Sequence, residues 1–239
     1  MLLPLALALH AATADTTPPT PAEQQLRFTG DIGYVSTSGN SSVQTLNVGY
    51  KVAARHRAWT IDQQFVVVHG KSHGTTVTSL WRGAFRADYA LERGVSLYGS
   101  VNYERNVFAG LASRVSNVVG VSAIAIENAR SRLTIEGGVS LTAQRGIGSG
   151  HDLDFLGGRA ASSFRHRLGA KAAVSQSVEL LPNFRDGEDL RVNTESSLLA
   201  PITRQVGVKL SYVIRYDGLP EAGYQTTDRL FTSGIQVSL

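Results

Sequence analysis

The sequence has no cysteine, which rules out a disulfide framework, a thiolate metal centre and a cysteine nucleophile. A chain without thiols also crosses an oxidising compartment without mispairing, so the absence permits export without requiring it. Long apolar runs are missing as well. After the first fifteen positions no stretch of eighteen apolar residues occurs, and mean hydropathy is −0.05, which excludes helical membrane spans. Neither charge sign dominates: 23 Lys and Arg stand against 19 Asp and Glu, for a net charge of +4 and a pI near 9.5. The cations are scattered singly, with no basic helix or stripe, which argues against a nucleic-acid partner. No phosphate loop, HExxH pair or nucleophile elbow is read in the chain, and no cofactor is expected.

What the chain does have is 24 glycines and abundant Val, Ser and Thr, the composition of strands and turns. Its 239 residues fit a single all-β domain. Residues 1–14, MLLPLALALHAATA, read as a signal peptide: an apolar run from Leu2 to Leu9 precedes the small-residue pattern Ala12-Thr13-Ala14, with cleavage expected after Ala14. Residues 15–25 are polar and carry Pro18, Pro19 and Pro21, which favours a flexible periplasmic tail. Residues 26–239 are left for the folded domain.

That domain is a succession of two-residue alternations, the period at which successive side chains of a strand point to opposite faces. The second strand sets Leu46, Val48, Tyr50 and Val52 against Thr45, Asn47, Gly49 and Lys51. The fourth sets Val77, Trp81, Phe85 and Tyr89 against Thr78, Arg82, Arg86 and Asp88. The fifth, seventh and eleventh follow suit, with Val95, Leu97, Val101 and Tyr103, then Leu133, Ile135, Val139 and Leu141, then Val206, Val208, Leu210, Tyr212 and Ile214 on the apolar face. In the eighth, Phe155 and Phe164 fall on opposite parities, so placing both outward calls for a bulge at Gly157 and Gly158.

About twelve strands are expected, at 26–37, 43–55, 59–69, 75–91, 95–107, 113–126, 132–144, 152–165, 170–181, 189–200, 206–216 and 229–239. Eleven residues at about 3.3 Å each, tilted by about 40°, span roughly 28 Å, the apolar thickness of a bilayer. The joins after odd strands, such as SGNSS, RGIGSGH and DGLPEAGYQTTD, are longer and richer in Gly than those after even strands, such as RHRA, ERG and RHRLG. Outer-membrane barrels sort their connections in this way, with short periplasmic turns and long outer loops. The expected fold is therefore all-β: one closed antiparallel transmembrane β-barrel in the cell outer membrane of a Gram-negative envelope. Trp59, Trp81, Tyr89, Tyr103 and Tyr212 read as anchors at the lipid interface.

The segments TSGNSSVQTLNVGYKVAARHRAWT, LYGSVNYERNVFAG and VGVKLSYVIRYDGLPEAGYQTTDRLFTSGIQVSL resemble the salt-induced outer-membrane proteins, a YdiY-like family built on a domain of unknown function. The likeness spans roughly Phe28 to Leu239. It implies an outer-membrane β-barrel linked to salt or envelope stress, and it supplies no catalytic residues.

With the apolar face toward lipid, the lumen is expected to receive Arg27, Lys51, Arg82, Arg86, Arg191, Lys209 and Arg215 together with Asp31, Asp62, Asp88, Glu104, Glu136 and Glu195. A barrel of about twelve strands has room for a narrow passage or a polar plug. Either these charges pair and fill the interior, or Arg82, Arg86, Asp88, Glu104, Glu136, Arg191, Glu195, Lys209 and Arg215 line a porin-like channel for small polar solutes, biased mildly toward anions by the arginines. Neither a catalytic nor a metal site is expected. The alternative is a lipid-modifying hydrolase, for which His69 and His73 near Ser72 and Ser79 are the available candidates. His151, Asp152 and Asp154 are a weaker candidate for a divalent cation. His56 and His166 read as surface groups in short turns. Expected partners are outer-membrane lipid, lipopolysaccharide, the barrel-assembly machinery and a small polar solute.

Overall fold

The structure, a computed structural model, describes residues 25–37, 43–73, 75–107, 110–147, 152–169, 172–203, 205–220 and 223–238. The expected leader and most of the expected tail lie outside them, as does His151. Twelve strands follow one another: β1 Gln25–Thr37, β2 Val43–His56, β3 Trp59–Ser72, β4 Thr75–Glu92, β5 Val95–Asn106, β6 Leu111–Glu127, β7 Ser131–Gly146, β8 Leu153–Leu168, β9 Ala172–Pro182, β10 Leu190–Pro201, β11 Val206–Asp217 and β12 Thr227–Ser238. Each pairs antiparallel with its sequence neighbours, and β1 meets β12 to close the barrel. Among the described residues the closing seam runs from Thr29↔Ser238 to Ile32↔Ile235.

The short joins are tight for a local reason. Arg57 (φ 52°) and Gly94 (φ 80°) take left-handed backbone in the β2–β3 and β4–β5 hairpins, whose twist matches two-residue turns. These joins sit at one end of the barrel; the longer ones, including 183–189 and 218–226, sit at the other, together with the two-residue join between Ser72 and Thr75, where His73 is also left-handed (φ 49°).

Burial is inverted relative to a water-soluble sheet. Phe85, Val139 and Leu141 are 49%, 53% and 61% exposed on the outer wall, whereas Asp62, Ser140 and Arg82 are 4–6% exposed within. Water would penalise such a wall, but a hydrocarbon surround favours it. Aromatic side chains continue from strand to strand on this outer face: Tyr50 lies 6.2 Å from Phe65, and Phe65 lies 6.0 Å edge-on to Trp81.

The eighth strand departs from expectation. Its register against β7 runs unbroken from Gln144↔Leu153 to Ser131↔His166, so no bulge at Gly157 and Gly158 resets that pairing. Phe155 turns inward, buried beneath the Arg191 guanidinium, while Phe164 lies on the opposite parity and stacks on His166. The glycines have another cause. A Cβ on Gly157 would stand 2.6 Å from the Pro182 carbonyl oxygen, and one on Gly158 would stand 3.1 Å from Phe184 and Pro182.

Tyr98 also faces inward, almost fully buried. A Cβ on Gly120 would meet its hydroxyl at 2.7 Å and one on Gly138 at 3.1 Å, so two bare positions in the neighbouring strands make its niche. Near the outer end an apolar knot of Val68, Leu80 and Val213, with Val66 packed against it, joins β3 and β4 to β11 inside the barrel.

Arginine placed at Val48, Phe85, Val101 or Val139 is expected to cost about 2–4 kcal/mol, because it puts a cation at mid-depth on the outer wall. Arginine at inward-facing Asn47 should cost much less. Refolding into lipid vesicles under urea titration measures both, and equal penalties would refute this assignment of faces.

Candidate functional site

The inward side chains assemble in two tiers. The first surrounds Tyr98. Arg86 makes a bidentate pair with Asp88 at 2.8 and 2.7 Å and reaches Glu136 at 3.0 Å. Arg159 donates to the same Glu136 Oε2 at 2.5 Å, to the Tyr98 hydroxyl at 2.9 Å and to Glu179 at 2.7 Å. Asn193 donates to the remaining Glu179 oxygen at 3.0 Å. The Tyr98 ring lies between the two guanidiniums, 4.0 Å from that of Arg86 and 5.6 Å from that of Arg159. Planar forks are suited to this arrangement, because each can share its donors between two carboxylates while a face rests on the ring.

The second tier gathers on Glu104, nearer the long loops. Arg82 donates to it at 2.6 Å, Arg215 at 3.3 Å, and an Arg114 nitrogen lies 3.9 Å away. Arg114 also donates to Gln144 at 2.8 Å and stands 3.7 Å from Asp217. Strands β5 and β11 are six places apart in a ring of twelve, so the Glu104–Arg215 pair spans the lumen between opposite walls. Arg114 of β6 and Asp217 of β11 make a second crossing. Arg191 is held more loosely, 3.8 Å from Asp189 and over the Phe155 ring.

Toward the short-turn end Lys209 lies 3.6 Å from Glu195, beside a small cavity of about 110 Å³ that Gln236, Ser175 and Ser197 also line. A larger cavity of about 250 Å³ runs from the Tyr98 tier past Glu104 to the last long join, where Leu219, Pro220, Tyr224 and Gln225 border it. Six arginines and seven carboxylates line it, so the cationic surplus expected from the sequence is not found on this wall.

The residues expected in the lumen are therefore distributed between the tiers: Arg86, Asp88 and Glu136 in the first, Arg82, Glu104, Arg191 and Arg215 in the second, and Glu195 with Lys209 below. Lys51 and Asp62 pair at 3.2 Å on the wall beside them. Sequence reading missed Tyr98, Arg114, Arg159, Glu179, Asp189 and Asp217. Arg159 lies on the parity opposite Phe164, so it points inward even with the expected bulge, a signal that was present but not used. Tyr98 shares the parity of Ser96 and Glu104, a signal that was present but overridden by its aromatic character.

The hydrolase candidates do not converge. GKSHG at 70–74 has the letter spacing of a nucleophile elbow, which sequence reading passed over, but Ser72 and His73 stand between two antiparallel strands and not between a strand and a helix, the context that motif needs. Ser72 Oγ lies 3.2 Å from His73 Nδ1 on an exposed turn, and no carboxylate orients that ring among the described residues. His69, also exposed, stands opposite Ser79 in the β3–β4 pairing. Asp152 and Asp154 face Arg145, at 3.6 and 2.7 Å, a cation where a metal would need more oxygen donors. His166 meets the Ser131 hydroxyl at 2.8 Å, and His56 is exposed at its turn.

A family described as "Protein of unknown function, DUF481" matches residues 30–239. The chain belongs to that family. No curated protein matches it in sequence. Among solved structures it is similar to the COG4313 outer membrane channel from Pseudomonas putida F1, with a TM-score of 0.55 and 10% identity over 96% of this chain and 99% of that one. It is also similar to the NanC porin, with a TM-score of 0.50 and 11% identity over 90% and 98% of the two chains. At such identities the shared property is the fold, a closed barrel of the outer-membrane type.

Replacing Glu136 with Gln removes the carboxylate that two buried arginines share, and is expected to cost about 3 kcal/mol in vesicle unfolding experiments. Replacing the exposed Asp154 with Asn should leave stability unchanged within error. An unaffected Glu136→Gln variant would show that the first tier contributes nothing to holding the barrel together.

Proposed function

We propose that this chain is a non-enzymatic outer-membrane channel that passes small polar solutes through a lumen narrowed by ion pairs between its opposite walls. The observation that carries this reading is the cavity that opens at the long-loop end and meets the Glu104–Arg215 and Arg114–Asp217 crossings. A polar plug would close such a barrel, whereas ion pairs partly reached by water exchange partners with permeating ions. The inverted burial of the wall supports placement in a bilayer, with lipid and lipopolysaccharide around it after insertion by the barrel-assembly machinery. Two similar folds, one a channel and one a porin, support the same reading. The near balance of arginines and carboxylates favours weak ion selectivity over the mild anion preference suggested by the sequence. A role in envelope maintenance under salt or osmotic stress follows from the family resemblance and fits a passage with a small cross-section.

In planar bilayers the refolded protein is expected to show a small conductance. Replacing Glu104 with Gln leaves Arg82, Arg114 and Arg215 without their shared partner, so conductance should rise by about twofold or more and selectivity should move toward anions. His69→Ala and His73→Ala should change neither. Electrically silent bilayers for both the wild type and the Glu104 variant, together with fatty-acid release that disappears in the histidine variants, would replace the channel by a lipid hydrolase.

A further inference from the structure

We infer that the rim formed by the short turns is a binding ring for the headgroups of anionic phospholipid. The net charge of the chain is not spread evenly along the barrel axis. At the short-turn end Arg57, Arg93 and Arg130 lie in three successive turns and Arg167 next to the last residue of β8, before the fourth; all four are exposed, and none has a carboxylate partner among the described residues. Arg55, Arg132 and Arg165 stand just inside them. The exposed carboxylates described at that end are Glu92 and Glu127, and Glu127 is paired with Arg132 at 2.8 Å; Asp88, level with Arg55, is buried inside the barrel and taken up by Arg86. At the opposite end Asp152, Asp154, Asp186 and Glu188 are all exposed and offset the cations there.

The second observation is what accompanies each arginine. Trp59 is exposed two residues from Arg57, Leu91 two residues from Arg93, Ile126 four residues from Arg130, and Leu168 beside Arg167. Trp59 packs on Tyr89 with ring centroids 5.0 Å apart, and the Ala90 amide donates to the Ala58 carbonyl, so neighbouring turns are tied into a continuous edge. A cation beside a large apolar side chain is the arrangement that places a guanidinium on a phosphate while its neighbour enters the acyl region. Its recurrence from turn to turn fits an annulus of lipid, whereas a protein or glycan partner would need one contiguous patch. Anionic headgroups answer the excess positive charge where zwitterionic ones would not.

The inference rests on the reading of this chain as a membrane barrel, and the test separates the two. Full-length protein is refolded into vesicles of phosphatidylcholine alone and of phosphatidylcholine mixed with phosphatidylglycerol, then extracted in mild detergent, and the lipids it retains are counted by native mass spectrometry. The wild type should retain phosphatidylglycerol over phosphatidylcholine by about fivefold, a preference that falls as salt is raised. A variant carrying Arg57→Gln, Arg93→Gln, Arg130→Gln and Arg167→Gln should insert yet lose that preference. A second variant at the other end, carrying Lys71→Gln, Arg105→Gln and Arg185→Gln, should keep it. Insertion with equal retention of the two lipids, or equal loss in both variants, overturns the binding ring alone. So does a wild type that captures soluble polyglutamate while ignoring phosphatidylglycerol. Failure of the wild type to insert into either vesicle overturns the membrane reading, and the ring with it.

Discussion

The closure of the sheet is the constraint on which the other features depend. A peptide group facing hydrocarbon has no water to bond with, so a sheet that crosses a bilayer cannot keep a free edge. Joining β1 to β12 removes the two edges and simultaneously creates an inside. Every residue of one parity is then committed to that inside, where the walls are close enough for side chains to reach each other. The tiers on Tyr98 and Glu104 exist because closure brings together strands that are far apart along the chain.

Closure also explains why arginine and not lysine dominates the interior. In a confined lumen each cation must answer more than one anion, and a guanidinium offers several donors in fixed directions. Arg86 serves Asp88 and Glu136 while lying against Tyr98, and Arg159 serves Glu136, Glu179 and the Tyr98 hydroxyl. Lys209, with a point charge, is left with Glu195 at 3.6 Å. A lumen built in this way is densely bonded around Tyr98 and more open around Glu104, where Asp217 and the mouth of the cavity are more exposed.

Much of this architecture can be read from alternation alone. The faces of β2, β4, β5, β7 and β11 are legible because lipid and lumen demand opposite chemistry at every second residue, and the strand limits lie within a few positions of those expected. The reading fails where a residue type contradicts its face. Phe155 and Tyr98 are aromatic yet inward, each for a local reason: Arg191 covers one, and two glycines make room for the other. Val68, Leu80 and Val213 break the polar pattern for the same kind of reason, since they meet one another and not water. Partners across the lumen are beyond any periodicity. Alternation shows that Glu104 and Arg215 point inward, but nothing local shows that residues 111 positions apart face each other.

The seam between β1 and β12 has a kinetic meaning. Every other pairing joins neighbours through a turn, so its register is set locally and early, while Thr29 cannot find Ser238 until the intervening strands have been laid side by side. The entropy of closing a loop grows only with the logarithm of its length, and the ordered strands between the two ends shorten the effective search. Pairing is nevertheless described for only four positions there. The contact of greatest separation along the chain is thus also among the least extensive described, so the ring is sealed by the pairing that has least local help.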